Sequence, residues 1–461
     1  MSRTATQTGP SQPTGQAGAR QSGSGQKGSG QNGAGQTVNV PTVAGRVDDL
    51  RASLRRSLSG TPGRLRILAL LTVAVSLLFA IGANSAFGSA NAALGRAGAN
   101  AAQLVRIQAI HTNLVRADAD ATNAFLVGGL EPADQRTSYT SSLEQASRLI
   151  AEAAKAQPAD GPALGVLNTA VLTYAGLIEQ ARATNRQALP VGAQYLKVAS
   201  SGLRSDALPI LDALVKANDA RVLAEFDAAK SASTALIASG VLALLVLIGG
   251  MVWLSRRTHR YVNAPLAAAT AAILVTLVVG VIVLTSVGSR VAAVRDGSYA
   301  ATLATATARI AAFDAKSNES LTLIARGSGS AFEKTWTSSS KVVTDRSAVA
   351  AKLSSDAADL GGLWSKYTVT HTEIRKADDG GQWEKAVNQA TGKGPTSANA
   401  TFAAFDKASG AALASTSRSA SERLNGPRSW LAVVGWLGLL VGIAAAVSAW
   451  WGVSLRLEEY R

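Results

Sequence analysis

Four long apolar runs punctuate this chain, and between them apolar positions recur every three or four residues. The runs cover residues 65–86, 235–254, 264–286 and 430–452. About 20 apolar residues, each rising about 1.5 Å as a helix, cross a hydrocarbon layer about 30 Å thick. Past Arg66 none of the four holds an ionisable residue, so they predict transmembrane helices rather than buried core helices. A signal peptide competes for the first run: Arg64 opens a basic start, an apolar core follows, and small residues lie near Ala93. Some 63 residues precede that core, and the segment after it reads as continuous helix, which favours an uncleaved anchor.

The intervening segments, 88–234 and 288–428, are alike in length and rich in Ala and Leu. Leu104, Ile107, Ile110, Leu114 and Phe125 mark an apolar stripe in the first. Val294, Leu303, Ile310, Phe313, Leu321 and Ile324 mark one in the second. That spacing is helical. Breakers fall at 128–134, 157–162 and 188–192, then at 326–330, 354–362 and 378–381, dividing each segment into about four helices. The first helix and the last of each segment are expected to run straight out of the spans. The fold class expected is therefore an all-α integral membrane protein, with four transmembrane helices and two tandem extracytoplasmic four-helix bundles behind a disordered N-terminal arm. Local matches suggest that one unit was copied: Asn123 and Leu126 recur as Asn318 and Leu321, and Leu208, Leu211 and Asp212 as Phe402, Phe405 and Asp406.

Charge orients this arrangement. The chain of 461 residues has a net charge of +15 and no cysteine. Residues 1–66 hold nine Lys/Arg against two Asp/Glu, and the turn at 255–263 holds three Arg and no acid. Segment 88–234 is balanced, thirteen against thirteen, and 288–428 has eighteen against thirteen. The excess thus flanks apolar runs, with no basic face of interleaved aromatics, which argues against a nucleic-acid partner and for the positive-inside pattern of a plasma-membrane protein. Both termini, the turn 255–263 and the tail 453–461 fall on the cytoplasmic side. Residues 1–45 are Gly, Gln, Ser, Thr and Pro and predict disorder, while Leu50, Leu54 and Leu58 suggest a short basic helix at 47–58 on the anionic leaflet.

Motifs for chemistry are missing. His111, His259 and His371 lie far apart without metal-ligand spacing, and no phosphate-binding loop or nucleophile elbow is present. Residues 327–330 read as a helix break. Asp118 and Asp120 stand two apart, on different faces of a helix, and charged residues in the bundles are read as solvated faces. Nothing points to an enzyme, a cofactor, a metal or a catalytic residue. Uncharged spans argue against a transport path, and Gly438 and Gly442 suggest close helix packing.

The unit of span, outer four-helix bundle, span resembles the sensory half of bacterial chemoreceptors and sensor kinases. Over residues 60–461 the chain more closely resembles the GlnX-type four-span membrane proteins of actinobacteria, its tail reading Arg456-Leu-Glu-Glu-Tyr-Arg461. That resemblance implies a relay from an outer solute-binding lipoprotein, loaded with acidic amino acids, to a soluble cytoplasmic Ser/Thr kinase, protein kinase G. Candidate kinase contacts are Arg256, Arg257, His259 and Arg260 in the inner turn and Glu458, Glu459, Tyr460 and Arg461 in the tail. The lipid bilayer and a second copy of the chain are the other partners considered. Two functions stay open: a sensor that relays helix shifts, and a non-switching envelope scaffold.

Overall fold

A computed structural model of the chain describes residues 60–127, 131–258 and 263–458. The arm at 1–45 and the helix read at 47–58 lie outside these residues. Among the described residues all regular structure is helical.

Helix α1, Gly60–Val127, is one unbroken element of 68 residues. Its length follows from its sequence: no proline stands between Pro62 and Pro132, and alanine dominates its outer half. Then come α2 (Ala133–Ala156), α3 (Gly161–Arg186), α4 (Val191–Gly202), α5 (Leu208–Ser231) and α6 (Ser233–Thr258). A π-helical turn, Leu203–Ala207, joins α4 to α5. Pro209 explains it, because a proline nitrogen leaves the carbonyl four residues back without its donor and the ladder widens locally.

The second half begins with α7 (Ala264–Val294), which passes through a π turn, Arg295–Tyr299, into α8 (Ala300–Ile324). Helices α9 (Ser330–Leu353), α10 (Leu360–Asp379), α11 (Trp383–Thr391), α12 (Ala398–Asn425) and α13 (Arg428–Glu458) follow. The breaks read from sequence are present, including the one at 326–330, where Gly327 has φ of +85°. A further break was not expected. Residues 392–397, Gly-Lys-Gly-Pro-Thr-Ser, separate the short α11 from α12, so the second segment holds five helices rather than four. Continuity with the apolar runs also differs from expectation. The opening helices do run on, but the closing ones are interrupted, at Ala232 and at Gly426-Pro427.

Each of the segments 88–234 and 288–428 has its own core. Ile107, Ile110, Leu114, Tyr174, Leu196 and Leu211 belong to the first. Trp364, Tyr367, Phe313, Phe402 and Phe405 belong to the second. The apolar runs share a third, built around Phe79, Phe87, Leu236, Ile273 and Leu431. Here α13 lies hard against α1: a Cβ added at Gly442 would stand 2.5 Å from that of Ala80, and one at Gly438 3.1 Å from that of Ala83. The close approach expected of these glycines is present.

Of the 36 large apolar side chains exposed among the described residues, 26 lie on the apolar part of α1 and on α6, α7 and α13. By length and composition five helical stretches could cross a membrane, one more than the sequence reading expected. The fifth, Pro158–Arg186, has a hydropathy of 1.4, against 2.3 to 2.7 for the others.

Candidate functional site

The helices that open the two bundle segments, α1 and α8, pack side by side, and polar side chains gather along their seam. Asp118 of α1 is 1% exposed. Its carboxylate accepts from Ser200 Oγ at 2.6 Å, Ser317 Oγ at 2.6 Å and Arg204 Nη1 at 3.0 Å. Arg204 sits in the π turn between α4 and α5 and also reaches Asp314 of α8, Nε to Oδ1 at 3.0 Å. Ser339 of α9 donates to the other oxygen of Asp314 at 2.7 Å. One chain of bonds therefore ties α1, the α4–α5 turn, α8 and α9 together. Burial works against the Arg204 charge, yet Asp118 and Asp314 hold its pKa above the usual value.

A second clamp lies further along. Asp406 of α12 receives Arg116 Nη2 of α1 at 2.7 Å on both oxygens, and Arg309 Nη2 of α8 at 2.7 Å. One Arg116 nitrogen thus bridges both carboxylate oxygens, and hydrogen bonds between ionised partners are among the stronger polar contacts. Asp212, which local sequence matching aligns with Asp406, is largely exposed and stands 3.7 Å from His111 Nδ1.

Beside this clamp a cavity of about 520 Å³ opens between α1, α2, α8 and α12. Asn123 is 5% exposed there. Its Oδ1 accepts from Gln135 Nε2 at 2.8 Å and Asn399 Nδ2 at 3.2 Å, while its own Nδ2 finds no partner. Gln135 Oε1 and Arg116 Nε, both lining residues, are also buried without partners. Leaving a buried polar atom unpaired costs about 1–3 kcal/mol, so three on one cavity wall mark it as unusual. Asp120 lines the same wall and accepts from Ser138 Oγ at 2.7 Å. Burial lifts its carboxyl to about 6, against the pull of the Ser138 hydrogen bond and the Arg116 charge.

Inside the second core lies a cluster of charges. Glu319 is 1% exposed. It accepts from Lys316 Nζ at 2.8 Å and Tyr367 OH at 3.1 Å, and its Oε2 is 2.9 Å from His371 Nδ1. Nε2 of His371 faces Glu333 Oε1 at 3.1 Å, and its ring stacks on Trp336 with centroids 3.6 Å apart. Burial alone would raise the Glu319 carboxyl, but Lys316 and His371 bring it down to about 2. The His371 imidazole is raised, its two carboxylate partners outweighing burial.

These positions correct the expectation that charged residues in the outer segments are solvated. Asp118, Asp160, Arg309, Lys316 and Glu319 are buried. Asp118 and Asp120 do point to different faces, as their spacing implies.

Away from these sites, Leu65, Leu254 and Val453 pack the start of α1 and the ends of α6 and α13 together. Asn263 Nδ2 donates to Gly452 O at 2.6 Å, and Ser448 Oγ to Pro265 O at 2.8 Å, which stitches α7 to α13. Arg256 and Glu458 therefore share one end of the apolar helices, both exposed. Arg257 lies in α6, its side chain beyond what the structure describes; His259, Arg260, Glu459, Tyr460 and Arg461 lie outside the described residues.

No curated protein and no solved structure matches the chain. Residues 93–227, from the outer half of α1 to α5, match the family model of an actinobacterial sensor domain, which supports a sensing role.

Proposed function

We propose that this chain is a plasma-membrane sensor that passes an outer signal inward through helices shared by both compartments. The observation that carries the reading is α1, a rod of 68 residues. At about 1.5 Å per residue it spans about 100 Å. It carries Asp118 and the cavity residues at one end and Leu65 at the other, with no break where a shift would be absorbed. Packed helices with paired polar clamps have discrete arrangements, so moving one clamp biases the far end. A signal must bind the two arrangements unequally for this to work.

In this reading α1, α6, α7 and α13 cross the bilayer, and the two outer segments are tandem bundles. The fifth apolar stretch, α3, belongs to the first bundle, since Leu164, Leu167, Val171, Tyr174 and Ile178 turn into its core. Both termini are cytoplasmic, in line with the basic flanks. The outer partner would be a solute-binding lipoprotein carrying acidic amino acids and the inner one a Ser/Thr kinase, as the GlnX-type resemblance implies. The kinase would meet the turn and tail around Arg256 and Glu458.

Crosslinking on both faces of native membranes, then purification in mild detergent, would recover the partners. The chain has no cysteine, so Arg256→Cys and Glu458→Cys provide unique labelling sites. The distance between labels in nanodiscs should change when the recovered outer partner is added. An unchanged distance with every outer partner recovered would replace the relay with the scaffold.

A further inference from the structure

The sensor reading leaves its signal unnamed, and a second cavity speaks to this; the inference rests on that reading only for its biological use. The cavity lies inside the first segment, between α1, α2, α3 and α4, and measures about 250 Å³. Ala121 and Ala124 of α1, Ile178 and Ala181 of α3 and Leu196 of α4 form its walls. Its origin is in the sequence. Nearer the apolar runs α1 meets this core with Ile107, Ile110 and Leu114, but further out the same face carries Ala117, Ala121 and Ala124. Across from them α3 supplies Ala181. Small side chains thus face small side chains, and space is left where the neighbouring layers are filled. Protein interiors are otherwise close-packed, with few voids larger than a water molecule.

This wall asks a guest for no hydrogen bond. Among the described residues, none of the buried side-chain nitrogens and oxygens left without a partner belongs to it, in contrast to the cavity beside Asn123. Its charges stand at the mouth and are held by one another. Arg182 donates to Glu131 at 2.8 Å and to Glu179 at 2.7 Å, and its guanidinium lies over the Tyr139 ring, 4.0 Å from the centroid. Arg136 stands 3.9 Å from the same two carboxylates. Arg186 also reaches the mouth but is exposed to solvent. Water gains little in such a place, since it needs several polar partners. An ion would give up its hydration with nothing inside to replace it. An uncharged apolar guest meets neither cost.

We propose that this cavity binds a small uncharged apolar molecule, of the size of a substituted benzene or a two-ring aromatic. An apolar cavity of about 150 Å³ already admits benzene, and this one is larger. Such a guest touches α1, α2, α3 and α4 at once, near the end of α1 farthest from Leu65. Its arrival would therefore bear on how that rod is seated in the first core.

Fluorine NMR of the full chain in nanodiscs tests this with fluorobenzene, 1-fluoronaphthalene and 4-fluorobenzoate, empty nanodiscs giving the lipid background. At least one of the neutral compounds should bind the chain about tenfold or more tightly than fluorobenzoate, whose carboxylate the walls cannot pair. Ala181→Leu grows into the void from its wall and should weaken that binding about tenfold or more, without lowering the melting temperature of the guest-free chain. Ala133→Trp should also weaken it by filling the cavity from an exposed position at the start of α2, where folding is undisturbed. No binding of either neutral compound above the lipid background, equal or tighter binding of fluorobenzoate, or full binding by either variant would each overturn the proposal. A label distance at the inner ends that still responds to an outer protein would leave the sensor reading standing in those cases.

Discussion

Helices α1 and α8 open the two outer segments, yet they fill equivalent buried positions with different chemistry. In the register that sets Asn123 beside Asn318, the buried residues Ile107, Ile110, Leu114, Ala117 and Ala121 of α1 correspond to Thr302, Thr305, Arg309, Ala312 and Lys316 of α8. At these five positions α1 is wholly apolar, whereas α8 carries two threonines, one alanine and two paired charges, Arg309 and Lys316. The two solutions respond differently to damage. Apolar burial contributes about 25 cal/mol per Å² and is lost in proportion to what is removed. A buried ion pair contributes little net stability, because desolvation offsets attraction, but removing one partner strands the other. The second segment should therefore be the more brittle of the two, and the first, which matches the sensor-domain family, the more forgiving.

The sharpest way to break that comparison is Glu319→Ala. It strands Lys316 and His371 in a closed core and should cost about 3–5 kcal/mol. Hydrogen exchange should show protection falling across α8, α9 and α10 while α2 and α3 keep theirs. Equal loss in both segments would mean that they unfold as one unit, and the contrast would lose its meaning.

Arg204→Ala comes next, at about 2 kcal/mol, since it leaves the Asp118 and Asp314 carboxylates without their shared cation but with their serine donors. Its effect should concentrate at the seam. Exchange should rise in the outer half of α1, in α4 and in α8, while the cores around Tyr174 and Trp364 remain protected.

How much of this was legible in the sequence follows from what each signal measures. Periodicity reports apolar faces, so it found the apolar runs, the stripes and most breaks. The break at 392–397 also carries a signal, with glycine, glycine and proline in four residues. Arg204 is different. Its role depends on the π turn that Pro209 imposes, which rotates the side chain toward α8, and no spacing rule conveys that. Glu319 and Lys316 are three apart on a helix, the spacing of an ordinary surface pair. Only the helices packed all round α8 make them buried. The cavity beside Asn123 is invisible in the sequence for the same reason: Asn123, Gln135 and Arg116 meet through tertiary packing, and the match of Asn123 with Asn318 carries no hint of it.

Acidity separates the segments more gently. Glu319 is held at about 2 against an ordinary 4.5, so its ionised form favours the folded state. That contribution is complete above pH 4.5 and is lost as pH falls toward 2. Asp120 behaves oppositely: its carboxyl is raised from 3.8 to about 6, so its contribution is present below 3.8 and is lost as pH rises through 6. Stepping the pH from 7 to 5 should raise protection, taken against the intrinsic exchange rate at each pH, near Asp120 in α1 and α2, and around Glu319 only as far as the raised His371 imidazole takes up its proton. A step from 5 to 3 should loosen α8 and α10. Parallel loosening at both sites in the step from 5 to 3 would contradict the separate environments described for them.

The smallest effect sharpens the boundary between outer segment and bilayer. Helix α3 is apolar enough to cross a membrane, but its exposed apolar residues are few, Val166 and Leu172 among them, at 61% and 66%. Helix α6 exposes Leu245 at 65% within an apolar run of far higher hydropathy. If α3 faces water, Val166→Ser and Leu172→Ser together change stability by no more than about 0.5 kcal/mol, the usual size for surface substitutions. In the proposed reading Leu245→Asp in α6 faces lipid instead, where a charge at the centre of a span costs about 2.5–3.5 kcal/mol on insertion scales. Membrane yield and thermal unfolding of the two variants should therefore part company, the first matching the parent and the second falling well below it. A pair of serines in α3 that lowers membrane yield as much as Leu245→Asp would put α3 in the bilayer. It would then remove the reading in which the first segment, with its sensor-domain match, stands wholly outside.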